Sequence, residues 1–160
     1  MNSSVISKPL SAIELTEAGL AAIDKWNPST KAMFSVTPDA ALESASSIDK
    51  RLSDGEWCGL LAGMTMSLKD NIAMAGMVTT AGSKILANNM SNRDAFIVER
   101  LKRAGAIIMG KANLHEWVFG PTSQSTHDMK VFENCAIMQH GQVAATFATK
   151  QTSARERGTR

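Results

Sequence analysis

The chain has 160 residues, of which 44% are hydrophobic and 20% charged, and its formal net charge is +2. Disordered chains have fewer apolar residues and a larger net charge, so this composition predicts a folded domain. The basic residues are mixed with acidic ones, which argues against nucleic acid as a partner. No apolar run reaches the roughly 18 residues of a membrane span. Since Cys58 and Cys135 also lie far apart without a pairing motif, we expect a cytoplasmic protein.

Two amphipathic helices are predicted in the first third of the chain. The first covers residues 12–26, because Ser11-Ala12-Ile13-Glu14 has the form of a capping box and Asn27-Pro28 is expected to end the helix. The second covers residues 38–53. Its start is indicated by Thr37-Pro38, an N-cap followed by proline at the first helical position, and its apolar residues recur every three to four positions.

A strand, a helix and a second strand follow in the order of a βαβ unit. Apolar and hydroxyl residues alternate over residues 64–68, which predicts a strand with one buried face and puts Lys69 at its C-terminal end. A helix is predicted over 94–104, with Gly105 ending it. The continuous apolar run at 106–109 predicts a strand covered on both faces. This order of elements indicates an α/β fold.

The character of the sequence changes after Gly120. Residues 121–160 show no sustained helical or strand period, and their end is rich in Arg, Ser and Thr. We therefore predict a folded unit over residues 1–120 and a divergent, poorly ordered tail over 121–160.

No cofactor or metal site is predicted. The stretch from Gly105 to Lys111 has the letters of a phosphate-binding loop, but its four central residues form the predicted apolar strand and Ala112 replaces the magnesium-binding hydroxyl. The three histidines of the chain lack the spacing of a preformed metal site; they are His115, His127 and His140.

Lys69 is the candidate catalytic residue. Open α/β sheets present ligand-binding and catalytic groups at the C-terminal ends of their strands, although position alone favours a lysine that extends its ammonium to solvent. The surrounding motifs decide between these readings. They are Gly63-Met64-Thr65-Met66-Ser67-Leu68-Lys69-Asp70-Asn71-Ile72, Ala75-Gly76-Met77, Thr79-Thr80-Ala81-Gly82-Ser83, Arg93-Asp94-Ala95-Phe96 and Gly110-Lys111-Ala112-Asn113-Leu114-His115-Glu116-Trp117.

In order and spacing these motifs resemble the amidase-signature family of amide and related C–N hydrolases, over about residues 8–120. The resemblance implies helices packed on a mixed β-sheet and a small-molecule amide as the substrate of full-length relatives. It also implies a Ser, cis-Ser, Lys triad that works through a serine acyl-enzyme. Lys69 matches the lysine, which in its neutral form takes a proton from the bridging serine and so activates the nucleophilic serine.

Neither serine of that triad is present. The family's G-G-S-S-G-G-S loop should follow Asn113 by some tens of residues, yet residues 121–160 contain no Gly-Gly and no Ser-Ser. We therefore expect the chain alone to be catalytically incomplete. The favoured explanation is a truncated or frame-shifted amidase, and the alternative is a spliced or divergent form kept for binding. An unfolded fragment without function is a third possibility.

The missing segment also affects the predicted sheet. Strands 64–68 and 106–109 would normally be covered by elements supplied later in the chain, so an apolar face and an edge are expected to be exposed. Self-association through the exposed sheet edge follows as an expectation. The alternative function is accordingly a non-catalytic binding or self-associating module.

Overall fold

The computed structural model of the chain describes residues 10–119. In chain order the helices and strands of this part are α1 (Ala12–Thr30), β1 (Met33–Val36), α2 (Pro38–Ser53), β2 (Thr65–Lys69), α3 (Phe96–Arg103) and β3 (Ile107–Ala112). Short 3-10 turns cover Lys84–Leu86 and Glu116–Val118. None of these helices is both long and apolar enough to cross a lipid bilayer. The tail predicted over 121–160 lies outside the described residues.

The three strands form one mixed sheet in the order β1-β3-β2. The central strand β3 runs parallel to β2, with Lys69 opposite Ala112, and antiparallel to β1, with Val36 opposite Gly110. Helix α3 connects the two parallel strands, as a parallel pair requires. The predicted α/β class and mixed sheet are therefore confirmed.

The helices cover both faces of the sheet. One core joins α1 and α2 to Ile107 and Met109 of β3, while a second core joins α3 to Leu68 of β2 and Ile108 of β3. Successive side chains of a strand point to opposite faces, so β3 contributes to both cores. Its first five residues are all buried. The continuous apolar sequence at 106–109 reflects this two-sided burial.

Helix α1 begins at the capping box that the sequence indicates. The Glu14 N–H donates to Ser11 Oγ at 3.1 Å, and the Ser11 N–H donates to Glu14 Oε2 at 2.8 Å. A second partner was not predicted: both carboxylate oxygens of Asp49, in α2, accept from the Ala12 and Ile13 N–H groups at 2.8 and 3.0 Å. Asp49 therefore satisfies two of the unpaired donors of the helix and joins α1 to α2.

The end of α1 differs from the sequence prediction, because the helix passes Asn27-Pro28 and ends at Thr30. Proline in the final turn removes only one backbone hydrogen bond. Lys31 then adopts a left-handed conformation, with φ of 50°, and its N–H donates to the Asn27 carbonyl at 2.8 Å. The Asn27 side chain accepts from the Met33 N–H at 2.7 Å and donates to the Met33 carbonyl at 3.1 Å. These bonds fix the start of β1, a strand that was not predicted.

Helix α2 starts at Pro38, but the Thr37 hydroxyl makes no capping hydrogen bond. Helix α3 starts at Phe96 rather than at Asp94, since the Ala95 N–H donates to the Ala73 carbonyl at 2.9 Å. The Asp94 carboxylate accepts from the Ala75 N–H at 2.8 Å and pairs with Lys102 at 2.6 Å. The residues before α3 are thus bound to the turn at 73–75, which prevents them from joining the helix.

Gly105 ends α3 in a Schellman motif. Its N–H donates to the Lys102 carbonyl and the Ala106 N–H donates to the Leu101 carbonyl, both at 3.0 Å. Gly105 has φ of +85°, and a Cβ placed on it would lie 2.3 Å from the Cys58 carbonyl oxygen. Only glycine therefore fits this position, where the chain turns from α3 into β3.

Candidate active site at the end of strand β2

Lys69 is the last residue of β2 and its side chain is exposed. Its carbonyl accepts from the Ile72 N–H at 2.9 Å, which closes a turn directly after the strand. Within residues 10–119 no hydrogen bond or ion pair involves the Lys69 ammonium. The lysine that the motifs single out therefore projects from a structured strand end without a partner in this part of the chain.

Asp70, the next residue, is buried, with 1% of its surface exposed. Its Oδ2 accepts from the Thr80 N–H at 3.1 Å and from the Thr80 hydroxyl. The same hydroxyl accepts from the Gly82 N–H at 3.0 Å. The Asp70 carboxylate thereby joins the residue after Lys69 to the loop that carries the Thr-Thr-Ala-Gly-Ser motif.

Lys111 is the buried counterpart of Asp70. It is fully buried, and its Nζ lies 3.3 Å from Asp70 Oδ1. The ammonium also donates to the Ile72 carbonyl at 2.6 Å and to Thr79 Oγ1 at 3.1 Å. Removal from water lowers the pKa of Lys111, while the charge of Asp70 opposes that shift. The charged lysine is thus held by three oxygen atoms inside the protein.

Sequence reasoning did not identify Lys111 as part of this site. Lys111 appears in the phosphate-loop pattern and in the motif from Gly110 to Trp117, but neither gave it a role, and the structure places it in strand β3. The available signal was a lysine placed directly after an apolar run, since a charge in a strand buried on both faces needs a partner. The partner, Asp70, is 41 positions earlier in the chain, and only the parallel pairing of β2 with β3 brings the two together.

Within the described residues no serine hydroxyl is hydrogen-bonded to the Lys69 ammonium, including that of Ser67, which is exposed two positions earlier in β2. Ser46 and Ser47 are exposed residues of α2, and Ser83 is a buried residue whose Oγ accepts from the Ile85 N–H at 3.4 Å. In the same part of the chain, no group of three or more His, Cys, Asp or Glu side chains is arranged to hold a metal ion. This part of the chain therefore offers one exposed lysine, Lys69, next to the buried ion pair of Asp70 and Lys111.

A groove of about 670 Å³ lies elsewhere on the surface. It is lined by residues of α1, of β1 and of the start of α2, including Leu20, Asn27 and Val36. Lys69 does not belong to its lining, so this groove does not present a ligand to the lysine.

Comparison with known proteins decides the family. The family model described as Amidase matches residues 14–131. The chain belongs to the amidase family. The resemblance identified from the motifs is thereby confirmed, and the match continues beyond residue 120, where the motif correspondence was expected to end.

Similar amidase-family proteins include glutamyl-tRNA(Gln) amidotransferase subunits A. The chain is 37% identical over 126 residues to the subunit of Acaryochloris marina, a match that covers 79% of this chain and 26% of the relative. It is 41% identical over 117 residues to the subunit of Chloroflexus aurantiacus, covering 73% of this chain and 24% of the relative. The chain thus spans about a quarter of the length of these relatives.

Solved amidase structures share the fold. The peptide amidase of Stenotrophomonas maltophilia is 42% identical with a TM-score of 0.61, over 68% of this chain and 22% of the enzyme. A chain from a vestigial protein complex that reveals the evolutionary origins of an s-triazine catabolic enzyme is 35% identical with a TM-score of 0.71, over 74% of this chain and 26% of its own length.

Proposed function

We propose that the chain is the lysine-bearing part of an amide C–N hydrolase that works through a serine acyl-enzyme, with Lys69 as its general base. The observation that carries the proposal is the position of Lys69 at the C-terminal end of β2, where open α/β sheets present catalytic groups. Membership of the amidase family and relatives named as amidases and amidotransferases support an amide as the substrate class. Residues 1–120 form the amidase-like unit in this proposal.

The proposed chemistry begins with proton transfer. A serine hydroxyl is a poor nucleophile until a base removes its proton, and a neutral lysine amine can do so through a bridging serine. The activated serine attacks the amide carbonyl, the amine leaves with a proton returned through the same groups, and water hydrolyses the acyl-enzyme. Burial favours a neutral amine over an ammonium. Since Lys69 is exposed among residues 10–119, completion of the site requires further residues that cover it and supply both serines.

A chimera tests the role of Lys69. The segment of Stenotrophomonas peptide amidase that matches this chain is replaced by residues 10–119, and turnover of a peptide amide is measured. We expect the chimera to hydrolyse the amide and Lys69→Ala to abolish that activity. The matched control is Lys50→Ala, which truncates an exposed lysine of α2 and should leave turnover unchanged.

Thermal melting of each chimera separates loss of chemistry from loss of folding. Retained turnover in a folded Lys69→Ala chimera would refute the assignment of Lys69 as the base. The 160-residue chain alone is expected to show no amide hydrolysis above background. Turnover that disappears in its Lys69→Ala variant would instead show that the chain contains its own nucleophile.

A second candidate function is self-association through the free edge of β2. This strand pairs on one side with β3, and its other side has no strand partner in the part of the chain that the structure describes. Because the Asp70 N–H points to β3, the alternation along the strand directs the Ser67 N–H outward. Met64, the residue directly before β2, has 38% of its surface exposed and adds an apolar side chain next to this strand.

Light scattering at increasing concentration tests this second candidate. We expect a dimer or larger species for the parent, and a shift towards monomer for Ser67→Pro, since proline removes the outward N–H without loss of a bond to β3. A monodisperse parent monomer over the whole concentration range would contradict it. The cytoplasmic location and the absence of a nucleic-acid partner stay predictions from the sequence.

A further inference from the structure

We propose that Asp70 and Lys111 are positioning residues for Lys69, because their buried ion pair binds the turn after β2 to β3 and fixes the strand end from which Lys69 projects. The inference rests on the proposed role of Lys69 as the base. It concerns two side chains that would touch neither substrate nor nucleophile and would act only through Lys69.

The main chain of Asp70 is held on both sides. Its N–H donates to the Ala112 carbonyl at 3.0 Å, and its own carbonyl accepts from the Ala81 N–H at 3.0 Å. The carboxylate adds the contacts to Thr80 and Lys111. Asp70 therefore connects β3 and the loop at 79–83 through one residue, and Lys69 is its covalent neighbour.

Lys111 holds the other end of the same turn. Its ammonium contacts both Asp70 Oδ1 and the Ile72 carbonyl, while the Ile72 N–H donates to the Lys69 carbonyl at 2.9 Å. The ion pair thus fixes the first and third residues that follow Lys69. A rotation of the Lys69 backbone would have to break at least one of these bonds.

Stability alone does not account for this arrangement. A buried ion pair contributes little to stability, and well-packed apolar residues of similar volume often serve as well or better. The buried charges do, however, restrict the geometry, because Asp70 Oδ1 has no hydrogen-bond partner and depends on the Lys111 ammonium 3.3 Å away for its compensation. The Asp70–Lys111 pair is therefore suited to fixing the orientation of the backbone at Asp70. Lys69 is the residue directly before it, so the direction in which the exposed Lys69 side chain projects is fixed as well.

Hydrogen exchange in the 160-residue chain tests the inference without reference to activity. The variants are Asp70→Asn, Lys111→Met and the double variant, which leaves no buried charge unpaired. The two ends of the β2–β3 ladder are compared: the Asp70 N–H, bonded to Ala112, and the Ile107 N–H, bonded to Met64 at 2.8 Å. We expect about tenfold faster exchange at the Asp70 position in the double variant, with the Ile107 N–H unchanged, because local opening costs less than global unfolding.

The second readout is the NMR signal of the Lys69 side chain at Cε, with the Lys50 signal as control. We expect the Lys69 signal to shift in the double variant while the Lys50 signal stays in place. A milder variant, Thr80→Val, deletes the hydroxyl that bonds both Asp70 and the Gly82 N–H and should shift the Lys69 signal in the same direction without a charge change. It keeps the test decisive if the double variant unfolds.

An unchanged Lys69 signal in a folded variant, or equal acceleration at the Asp70 and Ile107 amides, would overturn the positioning role and leave a general contribution to stability. Failure of the proposed function would be detected in a different experiment, as retained amide turnover in the Lys69→Ala chimera. The two failures are therefore distinguishable.

Discussion

Gly105→Ala and Gly55→Ala form a matched pair that tests how tightly the turn between α3 and β3 is packed. Both glycines follow a helix in a Schellman motif: the Gly55 N–H donates to the Leu52 carbonyl at 3.1 Å, as the Gly105 N–H does to Lys102 at 3.0 Å. Both have positive φ, of +78° and +85°. They differ in surroundings, since a Cβ on Gly55 meets nothing within 4 Å and a Cβ on Gly105 would lie 2.3 Å from the Cys58 carbonyl oxygen.

The difference in surroundings determines how much each substitution is expected to lower the free energy of unfolding. A left-handed conformation costs alanine about 1–2 kcal/mol, and the lower chain entropy of the unfolded state offsets about 0.4–1 kcal/mol of that cost. We therefore expect Gly55→Ala to lower the free energy of unfolding by about 1 kcal/mol. At Gly105 the contacting atoms are backbone, including Ala62 Cα at 2.9 Å, so the main chain itself must shift. Such overpacking adds about 1–3 kcal/mol, for a total of about 2–4 kcal/mol.

Urea unfolding followed by circular dichroism measures both variants, with the slope of the transition as a check that the unfolded states are comparable. The discriminating quantity is the difference between the two losses. Equal losses for Gly55→Ala and Gly105→Ala would refute the argument, because they would mean that the segment at 58–62 yields to the methyl group without cost.

Three further substitutions test other parts of the structure. Asn27→Ala should lower the free energy of unfolding by about 1–3 kcal/mol, as two partly buried hydrogen bonds to Met33 are lost; a loss no greater than that of exposed Asn88→Ala would contradict this. Asp49→Ala should cost about 1–2 kcal/mol through two unpaired N–H groups of α1, measured by urea unfolding against exposed Glu43→Ala, and equal costs would count against the cap. For Lys111 the lowered pKa fixes the sign of a pH effect: the unfolded state binds more protons in the window below the ordinary value of 10.5, so the stability of the parent relative to Lys111→Met should rise with pH there. A fall in that difference would show that the pKa is raised.

Local patterns in the sequence were sufficient for the elements that carry a strong period. The alternation before Lys69 predicted β2, and the capping box at Ser11 predicted the start of α1, because both signals lie within a few neighbouring residues. Strand β1 gave no such signal. Its four residues are too few to show a period, and the bonds that fix it come from the Asn27 side chain and from β3.

The candidate site was predictable only in part, for the same reason. Lys69 was identified from its motif and its strand end, both of which are local. Its buried neighbours could not be paired from sequence, because Asp70 and Lys111 meet only through the register of two parallel strands. One extra residue of β3, Met109, lies between the partners of Met66 and Ser67 and shifts that register by one position, a change that no spacing rule anticipates.

The parallel pairing of β2 with β3 also determines when the turn over residues 69–72 can reach its final structure during synthesis. Lys111 is 39 positions beyond Ile72 and 32 beyond Thr79, the two groups to which it donates. At translation rates of about 5–20 residues per second, the turn leaves the ribosome roughly 2–8 s before its buried cation. For that interval Asp70 has only its partners at Thr80 and Ala81 and lacks both its ion-pair partner and its bond to β3. Slower elongation between positions 72 and 111 would lengthen the time before this ion pair can form.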